Sequence, residues 1–320
     1  MKNQMIHTTL AAFLAGASFL PVTLPNLAAA AESPFAVRMN TMEIDGLTIA
    51  YREAGDPSNP TVLLLHGFPT SSHMFRELIP ELAGKYHVIA PDYPGFGASE
   101  MPDAKDYDYS FANAADVVTK LIDARGVTDY AVYLMDYGAP VGYRMFAADP
   151  ARVTGFIIQN GNAYEEGLRE FWDPIKTYWA EPSAENGDAL RAFLTLDATI
   201  WQFTHGVGDV SKVNPDNYWH VQYLLDRPGN QEVQLEMFLD YGTNVSEYPK
   251  WQALFREHQP PALIVWGQND HIFPAQGAHP YKQDLTDVEF HLLDTGHFAL
   301  EEYGEVIADE MTDFLDRIHD

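Results

Sequence analysis

Tyr130-Ala131-Val132-Tyr133-Leu134-Met135-Asp136-Tyr137-Gly138-Ala139-Pro140-Val141-Gly142 is the stretch on which the fold turns. Tyr130 to Met135 is a short run of β-branched, aromatic and apolar residues, the pattern of a strand covered on both faces. Gly138 to Ala148 opens with small residues and reads as a helix. Asp136 stands at the junction. A side chain on so sharp a strand-to-helix turn is pushed out of the sheet, and the next backbone N–H can face a developing oxyanion. The residue there is a carboxylate, not a hydroxyl. A carboxylate attacking an acyl carbon gives an anhydride, which helps little. Attack on saturated carbon gives an ester that water can split. The junction predicts a substrate with a strained or good leaving group on sp³ carbon, such as an epoxide or an alkyl halide.

Outward from this junction the pattern repeats. A hairpin is expected from Arg38 to Ile44 and Leu47 to Glu53, around a turn at Asp45-Gly46. Thr61 to Leu65, Tyr86 to Ala90 and Val153 to Gln159 read as buried strands, with helices at about Ser72–Gly84 and Phe111–Arg125 between them. Alternation of this kind predicts an α/β fold: a mostly parallel sheet covered by helices on both faces. It breaks at about Asn162 and resumes at Ala262 to Trp266, followed by a strand at Val288–Leu293 and a closing helix at about Leu300–Ile318. The aromatic-rich stretch between reads as an inserted helical cap. The expected division is a leader over 1–31, a first core part over 32–161, the cap over 162–259 and a second core part over 260–320.

The 320 residues are enough for one large domain with an insertion. A formal charge of −27 argues against nucleic acid, anionic membrane surfaces and strongly anionic substrates. No cysteine is present, which excludes a disulfide, a thiolate nucleophile and a cysteine-ligated metal. His, Asp and Glu show no zinc-ligand spacing, and no organic cofactor is implied. Leu10 to Leu20 is apolar but shorter than the roughly 20 residues a membrane span needs. Leu27-Ala28-Ala29-Ala30-Ala31-Glu32 offers small residues where a signal peptidase reads. A Sec-type signal peptide cleaved near Ala30 or Ala31, and a periplasmic or secreted protein, are expected. The expected partners are a small hydrophobic substrate and water. Oligomeric state is not encoded in any motif.

Three further segments carry chemistry. His66-Gly67-Phe68-Pro69 follows the Thr61–Leu65 strand on a tight turn, so the Phe68 N–H joins the Tyr137 N–H as an oxyanion donor. Asp270, in Trp266-Gly267-Gln268-Asn269-Asp270, and His297, in Gly296-His297-Phe298, lie just past the C-terminal ends of two other strands, as Asp136 does. Open α/β sheets place ligands at that edge. Asp92-Tyr93-Pro94-Gly95-Phe96-Gly97-Ala98-Ser99 has Gly-x-Gly spacing but opens no helix, so it reads as a structural loop with Ser99 as a turn residue. These segments together resemble the α/β-hydrolase superfamily, and more closely its aspartate-nucleophile branch of epoxide hydrolases and dehalogenases. The resemblance implies Asp136 as nucleophile, His297 as the base activating water, and Asp270 as the partner orienting His297.

Epoxide opening creates an alkoxide, which calls for O–H donors, whereas dehalogenation creates a halide, which calls for indole or amide N–H donors. Members of the dehalogenase groups carry Trp after the nucleophile and Asn or Trp after the His-Gly pair, or an Arg pair near the nucleophile. This chain has Tyr137, Phe68 and Gly138, with Arg144 too far along the helix. The expectation is therefore an epoxide hydrolase. The alternatives are haloalkane dehalogenase-type hydrolysis and a non-catalytic binding protein that keeps the fold. The cap must supply the donor. Tyr241, in Leu239-Asp240-Tyr241-Gly242, loosely resembles one cap tyrosine of epoxide hydrolases, and Gln202 and His205 are the other candidates, with Tyr164 or Tyr178 also able to reach in. Trp172, Trp179 and Trp201 are expected to make the pocket apolar.

Overall fold

The structure, a computed structural model, describes residues 36–319. The leader expected over residues 1–31 lies outside the described residues. The hairpin comprises β1 (Arg38–Ile44) and β2 (Leu47–Ala54), and Asp45 and Gly46 make its turn at φ of 51° and 82°. Positive φ at both central residues gives the turn the twist that the two strands require. Then follow β3 (Thr61–Leu65), α1 (Leu78–Leu82), β4 (His87–Pro91), α2 (Phe111–Ala124), β5 (Tyr130–Met135), α3 (Gly138–Ala148) and β6 (Val153–Gln159). The insertion holds α4 (Asp173–Ala180), α5 (Ala184–Leu190), α6 (Leu196–Thr204), α7 (Pro215–Leu225) and α8 (Asn230–His258), joined by 3₁₀ turns. The chain returns to the sheet with β7 (Ala262–Gly267), α9 (Tyr281–Asp284), β8 (Val288–Leu293) and α10 (Ala299–His319).

The eight strands lie in the order β1-β2-β4-β3-β5-β6-β7-β8. β1–β2 and β2–β4 pair antiparallel; all later pairs are parallel. Every residue of β3, β4, β5 and β7 is buried. Their continuous apolar runs are what a strand covered on both faces needs. α2 packs with α3, and α1 packs with α10. Parallel order brings the C-terminal ends of β3, β5, β6, β7 and β8 to one edge of the sheet, so the loops that follow them converge. Among the described residues no helix is long and apolar enough to cross a membrane.

The helix expected over Ser72–Gly84 is divided. A 3₁₀ turn spans Ser72–Phe75, and α1 begins only at Leu78. Pro80 disfavours a continuous helix here: it has no N–H to bond the carbonyl of Arg76, so a helix running through that turn would lose a bond. Pro80 is tolerated in the first turn of α1, where its missing donor would have had no partner.

Candidate active site

Asp136 follows the last residue of β5 and has φ of 50°, a left-handed conformation that a branched side chain seldom adopts. Two glycines make room for it. A Cβ on Gly138 would lie 2.2 Å from the Leu65 carbonyl oxygen, and one on Gly67 would lie 2.3 Å from the Asp136 Cβ. The β3 loop and the β5 turn therefore approach more closely than any larger residue would allow. That approach aims two backbone donors at one carboxylate oxygen: the Phe68 N–H and the Tyr137 N–H each donate to Asp136 Oδ1 at 2.6 Å.

The other oxygen faces the β8 loop. Asp136 Oδ2 is 3.7 Å from His297 Nε2, which makes no hydrogen bond within the protein. His297 Nδ1 is 2.8 Å from Asp270 Oδ2, so the ring is held with its second nitrogen toward Asp136. Asp270 Oδ1 accepts the Ile272 N–H at 2.7 Å, and Asp270 Oδ2 also accepts from Asn160 Nδ2 at 2.8 Å. Asn160 Oδ1 in turn accepts the Gly267 N–H at 2.9 Å. Asp136, Asp270 and His297 are all buried, each at most 3% exposed. Asp136, Asp270, His297 and the two N–H groups are thus brought together. Asn160 escaped the sequence reading. The available signal was its place directly after β6, at the same sheet edge, together with the tolerance of Asn for its φ of 47°.

Burial pushes the Asp136 carboxyl up to about 6, against the opposing pull of His297 and the two N–H donors. Burial alone would lower the His297 imidazole, but the Asp270 and Asp136 carboxylates outweigh it and hold the ring above its ordinary range. His66 is no rival base. Buried and stacked on Tyr93, it is pushed down to about 4, and its Nε2 accepts the Tyr93 N–H. The Gly-x-Gly segment is a structural loop: Asp92 caps the Ser72 and Ala98 N–H groups, and the Ser99 hydroxyl bonds the Asp92 carbonyl and the Ala50 N–H.

Above Asp136 lies a narrow cavity with about 20 Å³ of free space, enough for about one water. Its walls are mostly apolar: Phe68, Tyr137, Phe171, Trp172, Phe193 and Phe238 are the aromatic members. Two cavity residues have buried polar atoms without a hydrogen-bond partner, Tyr137 through its Oη and Gln202 through its Oε1. Tyr241 is buried with an unpartnered Oη, but its ring packs tilted against Trp172 at 4.4 Å and does not line the cavity. His205 lies between Trp201 and His271, at 4.7 and 4.4 Å, and does not line it either. Tyr164 is tied to Asp284 at 2.8 Å. Trp172, which lines the cavity, donates its N–H to the Ile272 carbonyl, and Trp179 donates to the Phe238 carbonyl, each at 2.7 Å.

This fold and its convergent loops define an α/β hydrolase, and comparison with known proteins agrees. The family described as alpha/beta hydrolase fold matches residues 60–303, and the chain belongs to it. An uncharacterized hydrolase of Saccharomyces cerevisiae, YNR064C, is 44% identical over 271 residues, which span 83% of this chain and 93% of the relative. A haloalkane dehalogenase of Mesorhizobium japonicum is 39% identical over 286 residues, 85% of this chain and 89% of the relative. A Pseudomonas aeruginosa structure, provisionally named an epoxide hydrolase, superposes with a TM-score of 0.73 at 22% identity. It covers 88% of this chain and 96% of its own, a likeness of fold.

Proposed function

We propose that the protein hydrolyses a bond at saturated carbon through an ester on Asp136, and that the substrate is a small to medium hydrophobic epoxide. The observation that carries the first half is the division of labour between the two Asp136 oxygens. Oδ1 is held by two N–H groups, while Oδ2 faces His297 Nε2. Oδ2 attacks the epoxide carbon, the C–O bond breaks, and its electron pair passes to the ring oxygen. Oδ1 becomes the carbonyl oxygen of the ester. His297 Nε2 then takes a proton from water, whose oxygen adds to Cγ. The negative charge of that adduct falls on Oδ1, where the Phe68 and Tyr137 N–H groups already point. Collapse expels the second oxygen of the diol as an alkoxide, which takes the proton back from His297, and the proton left on the Asp136 carboxyl returns to the donor that protonated the ring oxygen in the first step. Esterification also removes the Asp136 charge, one of the two that hold the proton on His297, and so favours the neutral ring that the second step requires.

The leaving oxygen is assigned by its possible donors. The one indole N–H among the cavity residues, that of Trp172, is bonded to the Ile272 carbonyl. The Tyr137 phenol and the Gln202 amide remain, and a phenolic O–H suits an alkoxide. A second reading, dehalogenation, is favoured by the Gln202 amide, whose rotation would present N–H groups, and by the name of the Mesorhizobium relative. Mass spectrometry of His297→Gln protein separates the two, because loss of the base stalls the second step. An adduct of the whole epoxide mass supports ring opening. An alkyl adduct without halogen, with none from epoxides, supports dehalogenation. No adduct from either panel on folded protein overturns the covalent reading and leaves a binding role.

A further inference from the structure

A second space, a groove of about 360 Å³, is lined entirely by residues of the insertion. It is lined by Phe171, Ala192, Phe193, Ala198, Trp201 and Gln202. Three of these, Phe171, Phe193 and Gln202, also line the cavity at Asp136. The two spaces therefore share one wall. That wall is made of side chains rather than backbone, chiefly the Phe171 and Phe193 rings, whose centroids are 5.1 Å apart. Both rings are half-buried. The groove is mostly apolar: Phe171 and Trp201 lie parallel, 2° apart in plane at 5.9 Å, and two alanines are among its lining residues.

The cavity at Asp136 is too small for more than a reactive head group, and the groove suits an apolar tail. We infer that the preferred substrate is the terminal epoxide of an unbranched alkyl chain, its ring at Asp136, its first methylenes between Phe171 and Phe193, and its tail in the groove. A methylene chain needs less displacement of the two rings than a branched or aromatic group. Tyr137, whose buried Oη has no partner and which lines the cavity at Asp136, is the donor that the epoxide oxygen meets there. Phe171, Phe193 and Trp201 become determinants of chain-length specificity. This inference rests on the epoxide reading above.

The test is a series of purified 1,2-epoxyalkanes from three to ten carbons. Each methylene placed in the groove should raise kcat/KM about threefold, until the groove is full. Ala198→Trp, which fills the groove, should reduce the ratio of kcat/KM between the eight- and four-carbon substrates at least tenfold. Ala192→Trp, on the exposed rim, serves as a second filling variant should the first fail to fold. Phe193→Ala should raise kcat/KM for styrene oxide relative to 1,2-epoxyoctane. A wild-type series flat with chain length, or a length dependence kept in a folded filling variant, overturns the tail assignment. Absence of any epoxide adduct on His297→Gln protein overturns the head-group assignment, because the reading beneath it has then failed.

Discussion

Asp136 is held in a place that resists its charge. Its carboxyl is raised to about 6 by burial, whereas an unfolded Asp titrates near 4. Below about pH 4 the group is neutral in both states and costs nothing. As pH rises through 4 to 6 the unfolded chain ionises first, and the folded state loses about 3 kcal/mol by linkage. Asp136→Asn should therefore be more stable than wild type at pH 8, by about 1–3 kcal/mol, and equal to it at pH 4. Urea melts at the two pH values check this; equal stability at both would mean that the carboxylate is not strained. In the proposed reaction the Asp136 carboxyl attacks as its anion, so ester formation should fall about tenfold per pH unit below 6. Asn160 makes a different prediction. Asn160→Ala removes a hydrogen bond to the Asp270 carboxylate, and such bonds are worth about 1.5–3 kcal/mol. Since Asp270 acts on His297, the loss of about 10- to 100-fold should fall on ester hydrolysis, and the adduct should accumulate in the steady state. Asp136, Asp270 and His297 could be read in the sequence because each follows a strand, in a telling order. Asn160 was missed because it holds another side chain rather than reacting atoms, so its place directly after β6 was the one mark it left.

At the scale of elements, the site is a contact between two loops before it is a set of side chains. The Asp136 turn meets the β3 loop where Gly138 faces the Leu65 carbonyl. Gly138→Ala places a methyl against a backbone oxygen that cannot swing aside. It should destabilise the fold by about 1–3 kcal/mol in urea, the ordinary range for overpacking, and lower kcat as Oδ1 loses its donors. Unchanged kcat would show that the two loops are not coupled. The strands and helices nearest this contact were legible: Tyr130–Met135, Gly138–Ala148 and Val153–Gln159 lie where the residue pattern puts them. Covered strands are unbroken apolar runs, and α3 starts with the small residues that the close approach demands. Ser72–Gly84 was less legible because its helical pattern and its Pro80 conflict, and the proline prevails. The cap donors were least legible. Tyr241 and Gln202 both lie in helices, at positions whose side-chain direction follows only from how α6 and α8 pack.

For the whole molecule the question is how a substrate reaches so small a cavity. The inserted helices are tied down at their rim by polar bonds. Glu302 of α10 accepts the Gly208 and Asp209 N–H groups at 3.1 and 2.8 Å. Glu301 accepts from Arg76 and from Asn217 of α7, the latter at 2.6 Å. Arg227 donates to the Gly95 and Gly97 carbonyls at 2.7 and 3.2 Å. The Glu302 pair is exposed, so it adds little to global stability, yet it fixes the segment joining α6, which carries Gln202, to α7. Glu302→Ala should leave the urea midpoint nearly unchanged while raising amide exchange over residues 206–217 at least tenfold. It should also raise kcat/KM for bulky substrates relative to slender ones, because α6 is then freer to move away from Phe171. If exchange rises without any change in that ratio, motion at this rim does not gate entry, and admission depends on the Phe171 and Phe193 rings alone.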